Sequence, residues 1–233
     1  MNISHEHKVI WFAPQRCGTK ALAHIFSKLG FEYYFNLDAY YSGVSDNYQS
    51  HEVVVPEEFS DYKLIISTRN PYDRILSLFY NFTMVGKNLT YTRDTHQDYM
   101  SRFELFVKEL FYRSSNSDDK PILNNYVLRY SYKTDMSYNV LRMENLIEDL
   151  SKIDFVKSSD IWKSGYVHDY LISNQHKIKR PFKFNTIYTP TAAKIVYQNQ
   201  HKHFIMGGYD PFSFTTEEIS NVDKMKFIHE NLD

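Results

Sequence analysis

Five consecutive apolar residues, Val9-Ile10-Trp11-Phe12-Ala13, stand between a polar start and Pro14. A run this short, closed by a proline, reads as a strand buried on both faces, and such strands belong to sheets covered by helices. A helical pattern follows from Thr19 to Leu29, with Ala21, Leu22, Ile25, Phe26 and Leu29 recurring at helical spacing and Gly30 as the stop. The pairing of strand and helix then repeats. Lys63 to Thr68 is a second strand, and Arg69-Asn70-Pro71-Tyr72-Asp73 starts a helix, with Asn70 as N-cap, Pro71 first in the helix and Asp73 in its first turn. That helix carries Ile75, Leu76, Leu78, Phe79 and Phe82 on one side, with Ser77 expected opposite them beside Asp73 and Asn81. Phe31 to Phe35 and Tyr138 to Arg142 read as further strands, and Phe103 to Phe111 and Thr191 to Phe204 as further helices, the last closed by Gly207-Gly208. Residues 83–101 read as a polar excursion. Strands alternating with helices predict an α/β chain: a single three-layer domain over 1–233, with a mostly parallel central sheet flanked by helices. Residues 83–137 are expected to form a helical and loop insertion.

Composition narrows the partners. With 27 Lys+Arg against 28 Asp+Glu the net charge is −1, without the basic excess that bulk nucleic-acid binding needs. No nucleic-acid partner is expected, although a local anion pocket remains compatible. Cys17 is the single cysteine, so neither an intrachain disulfide nor a cysteine-based zinc site is available. No stretch reaches the roughly 18–20 apolar residues needed to span a bilayer, and Met1 to His7 lacks the pattern of a signal peptide. A cytoplasmic protein without a membrane partner is the expectation.

The first chemical signal is the loop Ala13-Pro14-Gln15-Arg16-Cys17-Gly18-Thr19-Lys20 between strand and helix. The first N–H groups of such a helix and its dipole favour an anion, usually a phosphate. Arg16 and Lys20 add charge, and Thr19 adds a hydroxyl. The loop departs from the nucleoside-triphosphate pattern G-x-x-x-x-G-K-S/T, since Ala13 replaces the first glycine and the order is Gly18-Thr19-Lys20. The second strand also ends in Arg69 rather than in the acid that would hold Mg²⁺. The second signal is Arg69 with Ser77, a guanidinium fork and a hydroxyl suited to chelating a phosphate monoester.

Together these blocks resemble the sulfotransferases that use 3′-phosphoadenosine 5′-phosphosulfate (PAPS). The family's first loop reads approximately R-S-G-T-T-x-L, here Arg16-Cys17-Gly18-Thr19-Lys20-Ala21-Leu22. Its second block, R-N-P-x-D-R-x-x-S-x-x-Y, is matched at every fixed position from Arg69 to Tyr80. A weaker third block, L-R-Y-E-x-L-x-x-D, is similar to Leu141-Arg142-Met143-Glu144-Asn145-Leu146-Ile147-Glu148-Asp149, and Val196-Tyr197, Phe204 and Gly208-Tyr209 are similar to the family's closing helix and turn. Residues 83–137 are not covered.

The resemblance implies a P-loop-like sulfotransferase fold. It implies that Arg16, Cys17, Gly18, Thr19, Lys20 and Ala21 hold the 5′-phosphosulfate of PAPS, and that Arg69 and Ser77 bind its 3′-phosphate. The basic stretch from Lys177, with Arg180 and Lys183, is expected to fold over that phosphate. Cys17, Lys20 and Met143 depart from the family, standing at a usual serine, a usual threonine and a position where an aromatic often meets adenine. In-line sulfuryl transfer needs positioning and charge stabilisation rather than a metal. Arg16 is the first candidate stabiliser and Lys20 the second. His51 is the first candidate base, an imidazole suited to proton abstraction near neutral pH, with Glu52 or an acid within residues 83–120 as the alternative. The acceptor is expected to be a small molecule or a carbohydrate, sulfated at a hydroxyl or an amine. The alternatives are a P-loop nucleotide kinase or triphosphatase, and a non-catalytic nucleotide-binding module.

Overall fold

The structure, a computed structural model, describes residues 2–14, 16–33, 55, 57–84, 96–116, 137–173 and 183–229. In chain order these form β1 (Asn2–Ser4), β2 (Val9–Phe12), α1 (Thr19–Lys28), β3 (Glu32–Tyr33), β4 (Lys63–Thr68), α2 (Pro71–Met84) and α3 (His96–Asn116). Then come β5 (Tyr138–Arg142), α4 (Leu146–Ser151), α5 (Asp154–Ser158), α6 (Asp160–Lys163), α7 (Tyr166–Ser173), α8 (Pro190–Gly207) and α9 (Asn221–His229). Short 3₁₀ turns stand at Glu57–Phe59, Met143–Asn145 and Phe184–Thr186. The protein is α/β, and its contacts divide it into two compact units, Met1–Thr68 with Leu128–Lys177 and Arg69–Val127 with Ile178–Asp233.

The first unit is built on an open sheet in the order β3-β1-β2-β4-β5. β2, β4 and β5 are parallel neighbours, while β1 pairs antiparallel with both β2 and β3. All strands except β1 therefore point the same way, and the sheet is mostly parallel. Alternation along the strands sends Val9, Trp11, Ile65 and Leu141 into a core with Leu22, Ile25 and Phe26 of α1, Leu150 of α4, Val156 of α5 and Leu171 of α7. Ile10, Phe12, Leu64 and Ile66 alternate to the other face and are buried as well, as the continuous apolar runs predict. The one polar atom of Trp11 is satisfied inside this core, its Nε1–H donating to Ser67 Oγ at 2.8 Å.

α1 stops where Gly30 predicts. Gly30 sits at φ 78, its N–H donates to the Ser27 carbonyl at 3.3 Å, and the Phe31 N–H donates to the Phe26 carbonyl at 3.0 Å. The rings of Phe26 and Phe31 meet at 4.8 Å, completing the hydrophobic contact of a Schellman ending. β1, α5, α6, α7 and α9 have no counterpart in the sequence reading. β1 carries a single apolar residue, Ile3, and exists because β2 offers an edge to pair with.

The second unit is helical, with α2, α3 and α8 contributing to a core that includes Tyr72, Ile75, Leu76, Phe79, Phe103, Val107, Val196 and Phe204. One expectation is corrected here. α3 begins at His96 rather than after a polar excursion to 101, because Tyr99 lies one turn before Phe103 and is buried against Phe79 at 5.3 Å. Ser77, expected opposite the apolar stripe, is 2% exposed, so that side of α2 is buried as well. α8 opens with the Thr189 hydroxyl accepting from the Ala192 N–H at 3.1 Å and Pro190 in the first turn. It closes at Gly208, φ 64, with the Tyr209 N–H donating to the Phe204 carbonyl at 2.9 Å.

Candidate functional site

The loop after β2 makes its shape with backbone. Arg16 and Gly18 both adopt left-handed φ values, 68 and 72, a conformation that costs a non-glycine residue such as Arg16 and is therefore worth notice. The Cys17 N–H closes a turn onto the Pro14 carbonyl at 3.1 Å, and the Thr19 hydroxyl donates to the same carbonyl at 3.3 Å. Gly18 is the N-cap of α1, and the first helical bond runs from the Leu22 N–H to its carbonyl at 3.0 Å. No side chain among the described residues caps this helix, and its first turn holds no acid. The N–H groups of Thr19, Lys20 and Ala21 are thus those a helix leaves without intrahelical partners.

Side chains divide around this backbone. Cys17 is fully buried in the core with Leu22 and Ala13. Arg16 and Thr19 are half-buried, and Lys20 is exposed. Met143, at the start of the turn after β5, lies against the loop: a Cβ on Gly18 would run into its thioether. Gly18 is therefore needed twice, for its φ and for the close approach of Met143.

The third sequence block has a structural reason. Asp149 accepts from Arg142 three times: from its backbone N–H at 2.9 Å, from Nε at 2.9 Å and from Nη2 at 2.7 Å. Burial alone would raise the Asp149 pKa, but the Arg142 hydrogen bonds, aided by Lys152, prevail and hold it below the usual carboxylate range. This clamp ties β5 to α4.

The start of α2, in the second unit, is made by side chains. Asn70 Oδ1 accepts from the Tyr72 N–H at 3.0 Å, capping the helix, while Asn70 Nδ2 donates to Ser213 Oγ at 2.9 Å. Tyr72 donates its hydroxyl to the Pro211 carbonyl at 2.7 Å and accepts at its own carbonyl from Tyr188 Oη at 2.9 Å. Burial pushes both phenols above their usual range. Arg69 donates from Nε to Asp73 Oδ2 at 2.6 Å and forms an ion pair with the same oxygen through Nη2. Arg74 is 2% exposed, with Nη1 donating to Gln200 Oε1 at 2.9 Å.

Sequence reasoning singled out Arg69 and Ser77 and missed the roles of Tyr72, Asp73 and Arg74. Only the Arg69–Asp73 pair, at i,i+4 spacing, carries a local signal; Tyr72 and Arg74 are held by Pro211, Tyr188 and Gln200, far away in the chain. Lys183 is exposed, and its carbonyl anchors the turn at 184–186. His51, Glu52 and Arg180 lie outside the described residues. Among the described residues no group of three or more His, Cys, Asp or Glu is placed to hold a metal, and no helix is long and apolar enough to cross a membrane. Compared with protein-family models, with curated proteins and with solved structures, the chain matches none.

Proposed function

We propose that the protein is a sulfotransferase with PAPS as its donor, built on a P-loop-like sulfotransferase fold. The observation that carries the reading is the start of α1: a glycine-turned, uncapped helix N-terminus directly after a strand of a mostly parallel sheet. Backbone N–H groups and helix dipole together favour a phosphate there. Lys20 in that first turn supports it, because a cation is misplaced at a helix N-terminus unless an anion accompanies it. On this reading the Arg16 to Ala21 loop takes the 5′-phosphosulfate through backbone donors, Thr19 and the two cations. Arg69 and Ser77 take the 3′-phosphate, with Arg180 and Lys183 as further cations.

In the transfer, the acceptor oxygen forms a bond to sulfur while the bond from sulfur to the bridging oxygen breaks. The electron pair stays on the departing 3′-phosphoadenosine 5′-phosphate. Arg16, then Lys20, offsets the charge that grows on the bridging oxygen, and His51 takes the acceptor's proton. The acceptor is a hydroxyl or amine of a small molecule or a carbohydrate, selected by residues 38–50 and 83–135. A Mg²⁺-dependent kinase is disfavoured because Thr68 is followed by Arg69, where a metal site needs an acid.

Thermal unfolding with 3′-phosphoadenosine 5′-phosphate, set against ATP with Mg²⁺, tests the donor site. At about 100 times its dissociation constant a ligand stabilises by about 2.7 kcal/mol, roughly 5–10 °C for a chain of this size. The expected result is a shift with the bisphosphate that Arg69→Ala diminishes. A shift with ATP–Mg²⁺ alone would overturn the reading in favour of the kinase. Bisphosphate binding without sulfate transfer across a broad panel of hydroxyl and amine acceptors would leave a nucleotide-binding module.

A further inference from the structure

We propose that Asp73 is a positioning residue: it fixes the plane of the Arg69 guanidinium and thereby sets the protein's preference for a nucleotide bearing a 3′-phosphate. This rests on the sulfotransferase reading of Arg69. An arginine side chain is long and flexible, and its value in phosphate recognition lies in presenting a planar fork in one orientation. Here one carboxylate oxygen takes both Nε–H and Nη2–H of Arg69. That side-on grip fixes the guanidinium plane and, with it, the direction of the Nη1 edge.

Asp73 can do this because it is itself immobilised. It lies in the first turn of α2, where the helix dipole favours a carboxylate. The turn is anchored by the Asn70 cap on Tyr72, by Asn70 to Ser213, by Tyr72 to the Pro211 carbonyl and by Tyr188 to the Tyr72 carbonyl. The Arg69 and Asp73 side chains are 21% and 17% exposed, so a ligand can reach them while bulk water screens them little. The second motif block is then a chain of support: Asn70, Pro71 and Tyr72 hold the helix start, the helix start holds Asp73, and Asp73 holds Arg69.

The test compares dissociation constants for 3′-phosphoadenosine 5′-phosphate and adenosine 5′-phosphate, which differ only in the 3′-phosphate, by titration calorimetry on the full chain. Their ratio in the wild type is expected to favour the bisphosphate by about tenfold to a hundredfold, the scale of hydrogen bonds to charged groups. Asp73→Ala is expected to cut that ratio by about tenfold without weakening adenosine 5′-phosphate. Asp73→Asn, which keeps an oxygen acceptor for Nε, is expected to restore most of it. Arg69→Ala should lower the ratio at least as far, and the double variant no further. A merely structural role would lower both affinities together and leave the ratio unmoved. If Asp73→Ala does not fold, Asp73→Ser, too short to reach Nε, gives the same reading. A wild-type ratio in Asp73→Ala or its serine substitute, with the ratio lost in Arg69→Ala, overturns the proposal and leaves the donor site standing. A ratio near one in the wild type overturns the donor site itself, and this proposal with it.

Discussion

α1 and α2 each follow a strand of the same sheet in the chain, and their N-termini are finished in opposite ways. α2 has an asparagine cap, a proline in its first turn and an acid that answers the helix dipole. Its own sequence satisfies it. α1 has a left-handed glycine as N-cap, no side-chain cap among the described residues, no acid in its first turn and an exposed lysine instead. Its free N–H groups and its cation carry the same sign and nothing in the helix offsets them. One start is a structural joint that orients Arg69. The other has the electrostatics of an anion site, and the proposed function rests on that contrast.

Gly18→Val gives the largest expected effect on this contrast. A left-handed φ costs a side-chain-bearing residue about 1–2 kcal/mol, and crowding Met143 adds about 1–3 kcal/mol. The variant should lose about 2–5 kcal/mol of stability in chemical denaturation, and its melting temperature should no longer respond to 3′-phosphoadenosine 5′-phosphate. Gly30→Ala is the control, because Gly30 is also left-handed yet a Cβ there meets nothing within 4 Å. It should cost only the backbone term and leave the ligand response intact. A Gly18→Val protein that still responds to the bisphosphate would remove the α1 start from the donor site.

The same contrast explains what could be read from the sequence. The α2 start is written in side chains, so Asn70, Pro71 and Asp73 could each be assigned a place, and β4 and α2 fall where the residues put them. β5 likewise matches Tyr138 to Arg142. The α1 loop is written in backbone, and a weak motif is what backbone chemistry leaves in a sequence. The left-handed Arg16, the burial of Cys17 and the approach of Met143 across about 125 residues of chain had no local signal. The burial of Ser77 was not legible, because period alone counts a serine as polar and outward, whereas α2 is packed on several sides. β1 and the short helices α5 to α7 are too brief for any period to show.

Acid should separate the two units by the charges they bury. In the second unit, burial first, then the nearby Arg74 and His201, bring the His203 pKa down to about 3. The unfolded chain takes up that proton near pH 6.5. Between those values the unfolded state binds more protons, so stability falls as pH falls. In the first unit, the contribution of Asp149 is present above the unfolded carboxylate value and is lost only as pH falls through its lowered folded value, below about 4. Between pH 6.5 and 5 the His203 linkage alone should cost about 2 kcal/mol. Denaturation at the two pH values, repeated on His203→Gln, reads it as a smaller slope in the variant. Equal slopes would show that His203 is not held neutral, and the proposed difference between the units would fail.

Lys20→Ala carries the smallest expected effect and probes the contrast most directly. A cation in the first turn opposes the helix dipole, so its removal should stabilise the protein without ligand by about 0.3–1 kcal/mol. Alanine's higher helix propensity acts in the same direction. If Lys20 is there for an anion, the same variant should bind 3′-phosphoadenosine 5′-phosphate about twofold to fivefold more weakly, the scale of an exposed ion pair. Stability and affinity should thus move in opposite directions. The affinity difference should also vanish in 1 M salt, where the Debye length is about 3 Å, while the helix-propensity part of the stability gain persists. A variant that is less stable and binds the bisphosphate as before would make Lys20 an ordinary surface residue, and α1 would then differ from α2 only in lacking a cap, a proline and an acid.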